Sequence, residues 1–385
     1  LSLNLDMQFK EVLGNGELKS RLVNMVDSGR TGHSLMFVES DGYGALPLAM
    51  ALIQYMMCRN RKAGEDSCGI CPSCRRISEM MHPDLHFAFP VNSVSKSGSG
   101  KPLSGAFMQD WRELYKAKPY FTEADLYDKI GIADKVGVIS VAEAKEILDS
   151  LSLRSYEGYS KFMLVWLPER MNAEAANRLL KIVEEPSPDT YFIFVTHAPE
   201  RIISTIRSRS QLIRLYPVSQ EELAPFLSVR TGVGADEAAL YARISGGSPG
   251  LALSMMQGSS ASDAYMPLLT SMLEHVVGND LPALLEGNDA VLALGRERQK
   301  EFCLYSEAFL RKAMMHRRGL DSIADVLPSE KEAVMRFSAV LPDNFYEKAF
   351  AAFDGARTAV ESNVNAKMVF CNLVNVLFAL YNFRV

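Results

Sequence analysis

Apolar residues along this chain fall into two rhythms. Five short runs are almost continuously apolar: Ser34 to Val38, Leu85 to Phe89, Phe162 to Leu167, Tyr191 to Thr196 and Leu212 to Tyr216. Such runs suit strands of a parallel sheet, because both faces of that sheet are covered and neither needs a polar side. Between the third and fourth runs, Ala176, Leu179, Leu180 and Val183 recur at i, i+3, i+4 and i+7, which predicts one face of a helix. Asn172 is placed to cap its start, and Pro186 cannot continue it. Strands alternating with helices need crossover connections, so residues 7–215 are expected to form an α/β unit with a doubly wound parallel sheet.

After Tyr216-Pro217 the strand rhythm stops. Residues 219–227 and 235–244 read as short helices, followed by a turn at Gly246-Gly247-Ser248-Pro249-Gly250. From about residue 262 the pattern is helical throughout, with Met- and Leu-rich faces and a last apolar helix from Ala366 to Phe383. The chain therefore divides on pattern into a core over 7–215, a small helical segment over 216–261 and an all-helical region over 262–385. One stretch interrupts the core: residues 93–105 are rich in Ser, Gly and Lys and are expected to form a mobile loop.

Composition narrows the class. The chain has 385 residues, 48% hydrophobic and 23% charged, with a formal charge of -5. That is the balance of a globular protein of several domains, not of a disordered one. No apolar run reaches the roughly 18 residues of a membrane span, and no basic-then-apolar secretory signal opens the chain. A cytoplasmic location without membrane contact is expected. Met7 is a candidate initiator, which would leave Leu1 to Asp6 as residues added ahead of it. The slight acidity argues against a stand-alone nucleic-acid coat.

Four of the six cysteines fall within seventeen residues, spaced Cys58-x9-Cys68-x2-Cys71-x2-Cys74. Two-residue spacers let successive thiolates turn back onto one tetrahedral Zn²⁺, and Gly69 and Pro72 suit the turns. Disulfides are disfavoured in a cytosolic chain, and four exposed thiols would invite oxidation. A structural zinc with all four positions filled by protein is expected. Cys303 and Cys371 lie alone in apolar helical stretches and read as buried free thiols.

The first run leads into Glu39-Ser40-Asp41-Gly42-Tyr43-Gly44-Ala45-Leu46, then a helix beginning near Pro47. Strand, glycine turn and helix N-terminus form the setting of a phosphate-binding loop. Gly42 and Gly44 keep the spacing. Ala45 stands where the phosphate-binding Lys belongs, and Leu46 where the Mg²⁺-binding hydroxyl belongs. The third run ends Val165-Trp166-Leu167-Pro168, without the acidic pair that would serve Mg²⁺ and water. The loop is thus degenerate, and no ATP is expected in it. Gly98-Ser99-Gly100-Lys101 superficially has the same look, but Pro102 replaces the hydroxyl and no strand leads in.

Further motifs bind these pieces into one picture. Phe9-Lys10-Glu11-Val12-Leu13-Gly14 precedes Gly32-His33-Ser34-Leu35-Met36-Phe37, and His82-Pro83-Asp84 follows the cysteines. Asn172-x4-Asn177-Arg178-Leu179-Leu180-Lys181-x2-Glu184-Glu185-Pro186 is followed by Thr205-Ile206-Arg207-Ser208-Arg209. In this combination the chain resembles the delta-prime family of bacterial DNA polymerase III clamp-loader subunits, within AAA+. The resemblance covers the first 250 residues. It implies an AAA+ core with a zinc module, a helical lid and a helical oligomerising collar.

It also implies that Arg209, beside Ser208, acts in trans on nucleotide held by a neighbouring subunit. A guanidinium is planar and permanently charged, so it can stabilise a transferring γ-phosphoryl group. The implied partners are gamma/tau-like ATPase subunits, a clamp-opening delta subunit and, through the assembly, primed DNA. The chain departs from the family in three places. Ser210 replaces a cysteine after Arg209, Leu251 stands where a second sensing Arg is common, and the Cys58–Cys68 spacer looks about one residue long. Arg201, Arg207 and Arg214, against Glu200, make a local basic patch. Three functions fit these features: a non-hydrolysing clamp-loader subunit, an ATP-hydrolysing motor subunit of the same family, which Ala45 and Leu46 argue against, and a zinc-containing DNA-binding regulatory protein, which the acidic balance disfavours.

Overall fold

A computed structural model describes residues 7–92, 102–133, 135–152, 155, 160–257 and 261–383. Two compact units emerge, Leu1–Gly232 with Ser245–Ala252, and Val233–Ile244 with Leu253–Val385.

The first unit is built on a sheet of five strands: β1 (Ser34–Val38), β2 (Leu85–Ala88), β3 (Lys161–Trp166), β4 (Thr190–Thr196) and β5 (Gln211–Arg214). Their order is β2-β3-β4-β1-β5, and every pairing is parallel. Each apolar run is therefore a strand, with ends displaced by no more than two residues. Strand pleating sorts the side chains onto two faces. Leu35, Phe37, Phe162, Leu164, Trp166, Ile193 and Val195 enter one core, against the Ala45–Met57 helix. Met36, Val38, Met163, Val165, Phe192 and Phe194 enter the other, against the helices Val141–Ser152 and Ala173–Glu184. Both faces are covered, which is why the strands lack alternation.

β5 is the exception. It is an edge strand on which only Ile213 is buried, and Leu212 stays exposed.

The helix read between the third and fourth runs spans Ala173–Glu184, with Asn172 Oδ1 accepting from the Ala175 N–H at 2.8 Å. Between β2 and β3 lie the helices Met108–Ala117, Glu123–Lys129 and Val141–Ser152. Of the loop expected over 93–105, residues 93–101 lie outside the described residues. Its end is no loop: Ser104–Phe107 is a 3-10 turn, and the buried Ser104 donates its N–H to buried Glu143 at 2.8 Å. A buried carboxylate needs donors, and this one draws the backbone down to supply them.

The second unit is helical throughout its described residues. The helices Ala261–Val277, Arg296–Arg317, Asp343–Glu361 and Ala366–Asn382 pack around Phe302, Phe309, Phe345, Phe353 and Phe370. Glu330 is fully buried there and accepts from Tyr305 Oη at 3.1 Å and from Lys312 Nζ. The last helix is the expected one, ending one residue earlier, with Asn365 capping its first turn. Cys303 is fully buried in this unit, as expected, whereas Cys371 is only half-buried. No described helix is long and apolar enough to cross a membrane.

Candidate functional site

The turn after β1 carries a feature that the sequence pattern did not disclose. The helix begins at Ala45, two residues before Pro47, and its first amides need an acceptor. In a phosphate-binding loop that acceptor is a phosphate oxygen. Here it is the chain's own Glu39. Glu39 Oε2 accepts from the N–H groups of Gly44 and Ala45, each at 2.8 Å. Gly42 and Gly44 have φ values of +75° and +111°, as a turn folding back onto that carboxylate requires.

The space around the turn is also filled. A Cβ on Gly44 would come within 2.8 Å of the Tyr120 ring, and one on Gly42 within 2.9 Å of the Gly250 backbone. Tyr120 is held there because its hydroxyl accepts from the Leu13 N–H at 2.7 Å. Ser248 Oγ donates to the Asp41 carbonyl at 2.8 Å, and the Gly250 N–H to that of Gly42 at 3.0 Å. Ala45 and Leu46 are themselves buried, so neither offers a polar group to a ligand. Leu251, in the helix Pro249–Met256, brings no cation to the turn.

His197, just past β4, faces the same acids, 3.7 Å from Glu39 and 3.6 Å from Asp41. Burial alone would lower its pKa, but Glu39, Asp41 and Glu169 together outweigh that and raise it to about 9. Asp41 moves up to about 7, chiefly through burial, with the Glu39 and Glu123 charges adding to it and His197 opposing. Glu123 extends the network, taking a two-pronged contact from Arg170 at 2.8 and 3.0 Å. Glu169, the acid nearest the end of β3, is turned to Thr196 Oγ1 at 2.7 Å and the His197 N–H at 2.9 Å. The pocket is closed on itself, its acids spent on protein donors.

The four clustered cysteines come together as their spacing predicted. One sulfur from each lies within 4.8 Å of all the others. The knuckles are visible in the backbone: the Cys68, Cys71 and Cys74 N–H groups point at Cys58, Cys68 and Cys71 Sγ at 3.3, 3.4 and 3.5 Å. N–H···S contacts of this kind favour thiolate. Cys71 is accordingly lowered to about 7 against the upward pull of burial, whereas Cys58 and Cys74 are raised, mainly by burial. All six cysteines are free thiols. The long spacer is anchored at Ser67, which accepts from Gln54 Nε2 at 2.9 Å and from Gln8. Four soft donors at these separations can hold a tetrahedral cation.

Arg209 ends the short helix Ser204–Arg209 and is well exposed. Its Nη1 donates to the Thr205 carbonyl at 3.2 Å, and its Nη2 lies 3.0 Å from Glu184 Oε1. Ser208 is exposed, and its Oγ donates to the Thr205 carbonyl within its own turn at 3.2 Å. Ser210, in place of the family's cysteine, is buried with its Oγ 2.7 Å from that of Ser34 on β1. A hydroxyl there is matched by a hydroxyl. The basic patch is divided. Arg207 lies within the Arg209 helix and Arg201 just ahead of it, at the end of the 3-10 turn Pro199–Arg201, while Arg214 lines an open groove of about 820 Å³ with Arg21 and Arg30.

Residues 14–219, more than half of the chain, match the family described as DNA polymerase III, delta subunit. The chain belongs to that family. Its fold is the AAA+ type implied by the motifs, with the parallel sheet and the all-helical C-terminal region in place. DNA polymerase III subunit delta' of Escherichia coli (strain K12) is 28% identical over 240 residues, 62% of this chain and 59% of that protein. DNA polymerase III subunit gamma/tau of Mycobacterium bovis (strain ATCC BAA-935 / AF2122/97) is 26% identical over 291 residues, 74% of this chain and 42% of that protein. The chain spans less than two thirds of the length of these relatives. A solved gamma subunit-related protein of Thermotoga maritima aligns over 94% of this chain and 98% of its own. With 13% identity and a TM-score of 0.37, that alignment adds no weight.

The structure thus joins the four cysteines, and it sets Glu184 of one family motif beside Arg209 of another. The sequence reading missed Glu39, Tyr120, Glu123 and His197. One clue was present: an acid placed six residues before a helix start, in a turn that otherwise suits an anion.

Proposed function

We propose that this chain is a non-hydrolysing clamp-loader subunit of the replicative DNA polymerase III assembly. It supplies Arg209 in trans to the ATP held by a neighbouring ATPase subunit and helps load the sliding clamp onto primed DNA. The observation that carries the reading is the Glu39 carboxylate on the Gly44 and Ala45 amides. A protein anion stands where a nucleotide phosphate would, with no Lys and no metal-binding hydroxyl beside it. The residues present do not fit a nucleotide, so the chain's contribution to hydrolysis lies outside its own pocket.

Arg209 suits that contribution. It is exposed at a helix end and carries a permanent, planar charge that can meet the equatorial oxygens of a γ-phosphoryl group in transfer. Such an arginine is worth on the order of 10³ to 10⁵ in rate. The relatives named delta' and gamma/tau support partners of the same assembly: gamma/tau-like ATPase subunits and a clamp-opening delta subunit, with DNA met through the assembly. Cys58, Cys68, Cys71 and Cys74 would hold a structural Zn²⁺ that pins the 58–74 segment and takes no part in chemistry. The cytoplasm is the compartment that suits free thiols and these partners. Within the chain, residues 7–215 serve as the core, 216–261 as a lid and 262–385 as a collar for assembly.

The test is direct. Titration of the purified chain with Mg²⁺-nucleotide is expected to give neither micromolar binding nor turnover, while the chain co-purifies with the ATPase and clamp-opening subunits. Turnover by the chain alone would return the motor-subunit reading.

A further inference from the structure

The Asn177–Pro186 motif has no job in the proposed function, although it stands out in the sequence. The structure puts the end of that motif against the candidate finger. Glu184 is the last residue of the helix Ala173–Glu184, and its Oε1 lies 3.0 Å from Arg209 Nη2. We infer that Glu184 is a positioning residue for Arg209, an inference that rests on the trans-acting role proposed above.

Three observations carry it. First, Arg209 is held at two points, Glu184 Oε1 on Nη2 and the Thr205 carbonyl on Nη1 at 3.2 Å. A guanidinium has five N–H donors, so this hold leaves donors free to meet an oxyanion. Second, the support is well packed. The two helices contact each other, and Leu179 and Val183 of one and Ile206 of the other are fully buried in one core. Third, the contact joins separate elements 25 positions apart, unlike the neighbouring Arg178–Glu174 pair within one helix turn.

The physical gain is in orientation. A free arginine side chain carries about 2 kcal/mol of rotamer entropy, which a finger must lose when it engages phosphate. Holding one edge in advance removes part of that loss from the catalytic step. The Glu184 and Arg209 side chains are 38% and 41% exposed, so the pair adds little to stability. Its effect therefore belongs in turnover rather than in folding.

The experiment uses the full chain in the reconstituted assembly and measures DNA-stimulated ATP hydrolysis, with the unfolding midpoint of each chain recorded separately. Glu184→Ala is expected to lower kcat about three- to tenfold at unchanged KM for ATP and unchanged unfolding midpoint. Glu184→Gln, which keeps an oxygen acceptor but no charge, should fall between Glu184→Ala and the unsubstituted chain. The double variant Glu184→Ala/Arg209→Ala should be no slower than Arg209→Ala alone. Full turnover in Glu184→Ala beside a strong loss in Arg209→Ala would overturn the positioning role and leave the finger intact. Multiplying losses in the double variant would also overturn it. If Arg209→Ala had no effect, the trans-acting reading would fail first and this inference with it.

Discussion

Glu39→Ala is the perturbation that probes the closed pocket most sharply. The substitution removes a buried carboxylate that accepts two N–H bonds at 2.8 Å and faces the His197 imidazole at 3.7 Å. Each charge-assisted bond contributes about 1.5–3 kcal/mol, and removing one partner of a buried charged set costs about 3–5 kcal/mol. These figures describe overlapping effects and do not add, so the expected loss is about 4 kcal/mol. Against a typical domain stability of about 5–15 kcal/mol, that is a large fraction. Glu39→Gln keeps an oxygen for the amides and loses only the charge, so about 1–2 kcal/mol is expected.

Urea unfolding followed by tryptophan fluorescence suits the measurement. Both tryptophans of the chain, Trp111 and Trp166, lie in the core of the first unit. The Trp166 ring sits 6.1 Å from that of His197. An unchanged slope with a shifted midpoint would assign the loss to stability itself. A cost below about 1 kcal/mol for Glu39→Ala would refute the argument, because the amides would then have found another acceptor as good as the carboxylate.

The same network fixes a pH dependence. His197 binds its proton more tightly in the folded chain, at about 9 against an ordinary 6.5, so its contribution is complete below the lower value and lost as pH rises through the upper. Asp41, raised from 3.8 to about 7, acts with the same sign at lower pH. The urea midpoint of the first unit should therefore fall between pH 7 and pH 9, and fall less in Glu39→Gln; a midpoint that rises across this window would contradict the pairing. For the cysteines, chain purified without chelator should carry about one zinc by metal analysis, lost in Cys71→Ser. Metal-free protein before substitution would remove the zinc reading.

Much of the first unit was legible because its strands are buried on both faces. Continuous apolar runs such as Phe162 to Leu167 announce such strands, and Asn172 and Pro186 bracket the helix between them. The cysteine cluster was legible for a related reason: its two short spacers restrict where the sulfurs can go. β5 was read as buried because Leu212 and Ile213 are apolar, yet its place at the sheet edge leaves Leu212 exposed. Sheet order is a long-range property that no local pattern records.

The closed pocket was hidden for the same reason. Tyr120, Glu123 and His197 reach the turn after β1 from segments far along the chain. A lone tyrosine or glutamate in such a segment has no periodicity to mark it. Glu39 was readable only as the residue after a strand, because its partners are backbone amides and any sequence supplies those. The Glu184–Arg209 contact likewise joins two motifs that the sequence presents separately.

The central claim is that Arg209 completes an ATP site it does not own. The measurement that tests it most directly is DNA-stimulated ATP hydrolysis by the assembly reconstituted with Arg209→Ala. The account predicts an intact chain that assembles normally, with turnover reduced on the order of 10³-fold at the neighbouring site. Turnover equal to that of the unsubstituted assembly, at the same degree of assembly, would contradict it.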